Sequence, residues 1–234
     1  MKRWHWRWSR PRKHPSAVWL TDSSSQPAPA VEFHVPNGLE LATSTAAASW
    51  LEQRIWQWDR DYIRVGSVIP EGFAGYARIV HPAESNSETV SGSLPREMVG
   101  PLRETLRGLT TTPERCWFAV WEGFGFLDRG RYEHVRKVTI PNRAYLLFRG
   151  SIDAMQSMDW GPWRLSWQTP NLWWPDDRAW CVATEIDLAE TYVGGSDGCI
   201  QQILGNAELD ATPLQLDARI IDGQAVDPEE SPMS

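Results

Sequence analysis

Pro170 to Ser196 reads PNLWWPDDRAWCVATEIDLAETYVGGS, and this stretch decides the fold. From Ala179 to Asp187 apolar and polar positions alternate strictly. Trp180, Val182, Thr184 and Ile186 fall on one face, and Cys181, Ala183, Glu185 and Asp187 fall on the other, which is the two-residue period of a strand. Tyr192 and Val193 then run into Gly194-Gly195-Ser196, where Ser196 is a good N-cap for a helix carrying Ile200, Ile203 and Leu204. Upstream, Trp160, Trp163, Trp167, Trp173 and Trp174 fall among Pro162, Pro170 and Pro175, which predicts an aromatic loop layered over a sheet.

Working outward, Cys116 to Trp121 (CWFAVW) is apolar at every position, so it reads as a central strand covered on both sides. Tyr76 to His81 is a short strand closed by Pro82, and Val135 to Ile140 with Ala144 to Phe148 form a hairpin-like pair around Pro141-Asn142-Arg143. Thr43 to Tyr62 carries a helical stripe of Ala47, Leu51, Ile55, Trp58 and Tyr62. A second helix is predicted from Pro95 to Gly108 with Met98, Leu102 and Leu106 inward, and a short one from Ser151 to Met158 with Ser151 as N-cap. Residues 83 to 95 and 122 to 131 read as loops. These pieces predict a single α+β domain over residues 35–215, a largely antiparallel sheet with helices packed on it and a Trp-rich loop.

The flanks differ in composition. Residues 1–34 form a basic tail rich in Pro and Ser, and 216–234 an acidic, flexible one. Three readings fit the first tail: a Trp-rich cationic arm lying on an anionic membrane surface or on nucleic acid, a disordered segment, or upstream sequence read as protein. Residues 1 to 15 hold six Lys or Arg and no acid, so a net charge of -7 leaves -13 for the rest. An acidic body disfavours nucleic acid as a partner. No apolar run is long enough to span a membrane, and no secretory signal is evident. Three cysteines at unrelated spacings, Cys116, Cys181 and Cys199, suggest buried thiols in a reducing cytoplasm, with neither a disulfide framework nor a zinc site.

Two chemistries compete for the polar residues. Glu185 and Asp187, two apart on a strand, could hold a divalent cation with His81 as a further ligand, which would suit a metal-dependent hydrolase. Asp176 and Asp177 lie close by in sequence, but no lysine follows at the position a nuclease would use. The same acids could instead pair with arginines such as Arg178, Arg143, Arg149 and Arg78, registering the sheet. Trp and Arg side chains together also form recognition surfaces, because binding energy concentrates on those residue types. Cys199 stands early in the last helix, where a thiol can be acidified, but Asp197 is beside it. Gly194-Gly195-Ser196 could cradle a phosphate but lacks the lysine and the spacing of nucleotide loops.

The blocks GYARIVHP, CWFAVWEGFG, WWPDDRAWCVATEID and TYVGGS, within residues 72 to 204, resemble a family of uncharacterised proteins common in actinobacteria. The resemblance implies a cytoplasmic bacterial protein and brings no activity, cofactor or catalytic residue with it. The expected function is therefore non-catalytic binding of another protein through Arg178, Trp173, Trp174, Asp176 and Asp177. At the level of fold alone the analogy is to small immunity proteins of the SUKH type. The alternative is the hydrolase built on Glu185, Asp187 and His81.

Overall fold

A computed structural model describes residues 34–59, 63–82, 92–127, 129–141, 143–161 and 167–226, all within one unit, Glu32–Ser234. Their strands are β1 (Leu39–Leu41), β2 (Ile63–Arg64), β3 (Gly75–Val80), β4 (Cys116–Trp121), β5 (Val138–Ile140) and β6 (Arg143–Gly150). These are followed by β7 (Leu172–Pro175), β8 (Trp180–Ala183), β9 (Glu190–Gly195), β10 (Ala211–Pro213), β11 (Arg219–Ile221) and β12 (Gln224–Val226). The α-helices are α1 (Arg96–Arg107), α2 (Arg129–Tyr132) and α3 (Asp197–Leu204). The fold is α+β, with a main sheet in the order β1-β6-β4-β7-β8-β9-β3-β10, β5 beside β6, and a small sheet β12-β11-β2. Every ladder is antiparallel.

β4 lies between β6 and β7, with Phe118 opposite Phe148 on one side and Trp173 on the other. Because successive side chains point to opposite faces, its continuous apolar run supplies two cores. Phe118, Phe148, Trp173, Val182 and Val193 pack beneath α1, α3 and the 3-10 helix Ile152–Ser157. Ala119, Leu147, Leu172, Trp174 and Tyr192 pack on the opposite face against Trp50, Leu51, Ile55, Val65 and Ile69. The helix layer is tied down by polar contacts as well. The Trp180 indole donates to the Leu106 carbonyl at 3.0 Å, in the last turn of α1 where helical carbonyls lack partners. Asp153 accepts from both Arg103 and Arg107 of α1, each at 2.5 Å.

Several elements differ from the sequence expectation. Trp173 and Trp174 belong to β7 inside the sheet and are almost fully buried, so they are not part of a covering loop. Residues 46 to 55 do not form the amphipathic helix: a 3-10 turn, Ala46–Ala48, is followed by tight turns in which Leu51 N donates to Ala48 O and Arg54 N to Leu51 O. The cause is local. Ser44 Oγ accepts from the Ala46 amide, a local bond that competes with helical bonding, and tight turning buries Trp50 beside Leu51, which one helical stripe does not do. β8 ends at Ala183, and the chain turns at Glu185 with Leu188 N bonded back to Glu185 O. In the expected C-terminal tail, β11 and β12 form a hairpin with Ala218 and Ala225 buried. The expected tail over 1–34 and loop over 83–95 fall mostly on residues outside the described ones, although Gly92 to Pro95 is buried.

Removing the Trp174 ring leaves a cavity between β7 and the turn layer. Trp174→Ala is expected to lower unfolding free energy by about 3–5 kcal/mol in a denaturant titration. A loss below about 1 kcal/mol would show that the second core does not depend on this ring.

Candidate functional site

The turn between β7 and β8 is built by residues 176 to 179. Arg178 N bonds to Pro175 O at 2.9 Å, and Arg178 itself sits at φ 55°, the left-handed conformation where a hairpin turn of this kind usually carries glycine. The two acids before it are both engaged. Asp177 accepts from Thr110 Oγ1 at 2.8 Å, from Thr111 N and Oγ1 at 2.7 Å each, and from Ala179 N at 3.1 Å. Burial raises its pKa, but the Thr111 and Thr110 hydrogen bonds outweigh this and hold the carboxyl below the usual range. Asp176 takes the Trp117 indole at 3.1 Å and Arg115 Nε at 3.3 Å.

Arg178 is exposed and reaches a different surface. Its guanidinium carbon lies 5.3 Å from the centroid of the buried Trp50 ring, and that of Arg54, also exposed, lies 5.9 Å from the same ring. Both distances are in the cation-π range. The ring is held edge-on by Trp174 at 5.9 Å and by Phe73 at 6.3 Å. Arg54 crosses Gly72: a Cβ at that glycine would stand 2.6 Å from Arg54 Nη1, and its φ of 103° already favours glycine. The Trp50 Nε1 donor is buried without an acceptor among the described residues. Past Phe73 comes Tyr76, 6.1 Å away, which lines a groove of about 500 Å³ together with Trp56, Ile200, Leu214 and Leu216, with Asp197 and Asp217 also at its walls.

The residues weighed for a cation site do not assemble as one. Arg143 donates to Glu185 Oε1 at 2.7 Å through Nε and to Asp187 Oδ2 at 3.2 Å through Nη2, and it also lies over Trp58. His81 Nε2 meets Thr191 Oγ1 at 2.9 Å, which in turn meets Thr184 Oγ1 at 2.8 Å. Among the described residues no three His, Cys, Asp or Glu side chains group around a cation-sized space. Burial outweighs Arg143 and pushes the Glu185 carboxyl above the usual range. Burial also lowers His81 to about 4. The arginine that pairs with this acid cluster is Arg143, not Arg178.

The remaining motifs are accounted for by packing. The three cysteines are buried and unbridged; burial pushes Cys116 up to about 12 and Cys199 up to about 11, and raises Cys181 too. Cys199 therefore keeps its proton at neutral pH despite its place early in α3. A Cβ on Gly194 would come within 2.6 Å of Phe73, and one on Gly195 within 2.7 Å of Cys199 Sγ. Ser196 Oγ accepts from Cys199 N at 3.2 Å. The Gly-Gly-Ser turn is thus filled on both faces and capped.

No protein-family model, curated protein or solved structure matches the chain. Of the residues singled out from sequence for binding, the structure leaves Arg178 exposed and without a carboxylate partner among the described residues; Trp173 and Trp174 are core, and Asp176 and Asp177 are held by the fold. Trp50 and Arg54 escaped the sequence reading because the stripe through Ala47, Leu51 and Ile55 set them aside.

His81 makes stability depend on pH. Between its ordinary 6.5 and about 4 the unfolded chain binds a proton that the folded chain refuses, so stability falls as pH drops through that window. The size is on the order of 3 kcal/mol at about 1.4 kcal/mol per pH unit. Glu185 acts oppositely: its raised carboxyl takes a proton earlier in the folded state, so its own contribution improves as pH falls. His81→Asn is expected to flatten the fall in denaturation midpoint between pH 6.5 and 4; an unchanged slope would assign the acid sensitivity elsewhere.

Proposed function

We propose that the protein is a non-catalytic binding protein that meets another protein through the Arg54–Trp50–Arg178 patch. The observation that carries this reading is the placement of two exposed guanidiniums around one buried, edge-braced indole. Arg and Trp are the residue types on which interface energy concentrates, and here the ring is rigid before any partner arrives. The backbone also favours the reading. Arg178 occupies a turn position that glycine would fill with less strain, and a strained residue on an exposed turn is a pointer to function.

The hydrolase alternative receives no support from the geometry, because Glu185 and Asp187 share Arg143 and His81 faces Thr191. The proposed setting is a reducing bacterial cytoplasm. Three buried free thiols suit such a compartment, and among the described residues no helix is long and apolar enough to cross a membrane.

Affinity capture from the native cell tests the proposal when the wild-type chain is compared with an Arg54→Gln/Arg178→Gly variant. A protein retained by the wild type is expected to be lost or strongly depleted with the variant. Equal recovery on both would place the contact surface elsewhere.

A further inference from the structure

We infer that the Arg54–Trp50–Arg178 patch recognises anionic oxygens presented by an acidic segment of the partner; this rests on the reading of the patch as a protein contact. The basis is the distribution of ion pairs. Seven other arginines, Arg103 and Arg143 among them, have a carboxylate within salt-bridge distance. Among the described residues Arg54 and Arg178 have none, although the chain carries 30 Asp and Glu against 23 Lys and Arg; exposed Arg136 has none either, but among those residues it lies over no aromatic ring.

Three acids close to these arginines are turned to other tasks. Asp176 and Asp177, immediately before Arg178, are taken by Trp117, Arg115 and the Thr110-Thr111 segment. Glu71, whose amide bonds to Arg54 O at 2.8 Å, directs its carboxylate to the Trp56 indole at 2.6 Å. Two backbone features serve the guanidiniums directly: the left-handed turn that carries Arg178 and the glycine at 72 that lets Arg54 pass. What results is a local pair of cations on an acidic body, each backed by a π face that leaves its N–H fork free for carboxylate or phosphate oxygens. At physiological salt the Debye length is about 8 Å, so the local pair governs a contact more than the distant net charge does.

The acidic body would repel an acidic partner at long range, so binding is expected to be short-ranged. The groove beyond Phe73 and Tyr76 offers apolar side chains, Trp56, Ile200, Leu214 and Leu216, next to the charged pair, with Asp197 and Asp217 at its walls keeping acidic groups at the arginines. An acidic residue followed by an apolar one in extended chain is the segment this surface fits.

The experiment uses the full chain and follows the Trp50 indole N–H resonance, assigned by its loss in Trp50→Phe. Four probes are titrated: a Glu-rich peptide, a matched Gln-rich peptide, a phosphoserine-rich peptide and inorganic phosphate. The Glu-rich peptide is expected to shift the resonance saturably and the Gln-rich one to leave it in place. Arg54→Gln and Arg178→Gly are each expected to weaken binding at least about fivefold. Arg178→Gly should keep or raise the melting temperature, since glycine relieves the left-handed backbone, so its loss of binding is not a loss of fold. If only the phosphopeptide and phosphate bind, with the same dependence on both arginines, the oxygens come from phosphate and the carboxylate source is overturned. No response to any anion, an equal response to the Gln-rich peptide, or indifference to both substitutions overturns the inference. If the captured partner is lost with the variant but no anion binds, the contact surface stands and anion recognition falls. If anions bind but the captured partner is indifferent to the variant, the contact reading falls instead.

Discussion

Trp173 and Trp174 are adjacent in the chain and point to opposite faces of the main sheet, so one dipeptide anchors both cores. On the helix side, Trp173 meets Trp180 edge-on at 5.1 Å, and Trp180 in turn holds the final turn of α1 through the Leu106 carbonyl. On the other side, Trp174 meets Trp50, which meets Phe73, which meets Tyr76. Each of these indoles and phenyls fixes the next by an edge-to-face contact, whose geometric preference adds direction to burial. The position of the surface patch follows from that row. Trp50 is fixed because Trp174 is fixed, and the two arginines are arranged around a ring that has little freedom to move.

Charge does the complementary work of joining outlying segments to the sheet. Buried Glu190 accepts from Ala225 N at 3.0 Å and from Tyr192 Oη at 3.1 Å, while Arg78 bonds both Thr212 Oγ1, at 2.8 Å, and the Ala225 carbonyl. That network fastens the β11–β12 hairpin to β3 and β9. Arg143, at the start of β6, fastens the turn after β8 through Glu185 and Asp187. A buried pair of this kind adds little net stability over an apolar replacement, but losing one partner leaves a costly charge, so such pairs specify where segments dock. The strained Arg178 turn belongs to the same logic. A left-handed non-glycine residue costs about 1–2 kcal/mol, which the four hydrogen bonds accepted by Asp177 can offset.

The period-two pattern of residues 180 to 183, the all-apolar run of β4, the hairpin around residues 141 to 143, α1 and the Ser196 cap were all legible, because each is set by local periodicity or by one capping side chain. The sheet order was not legible, since it depends on which apolar faces meet across long stretches of chain. Residues 46 to 55 misled because Leu51 and Ile55 keep helical spacing while the serines and threonines around them favour tight turns. The C-terminal hairpin was hidden by its acidic, polar composition; it is held by Glu190, 35 residues earlier, by pairing of β11 with β2 and by the buried Ala218 and Ala225. For the site, Arg178 could be singled out from sequence, but its partner ring could not. Nothing in the chain says that Trp50 lies beneath a turn 128 residues away, and only the structure shows Asp176 and Asp177 turned to other partners.

Arginine-directed dicarbonyl labelling of the native chain, read by peptide mass mapping over time, tests most directly whether this patch holds two guanidiniums free of carboxylates while ion-paired arginines such as Arg103 and Arg143 are engaged. Arg54 and Arg178 are expected to label well before Arg103 and Arg143, which carboxylates hold. Labelling of Arg178 as slow as that of Arg143 would contradict an open, unpaired patch at Trp50.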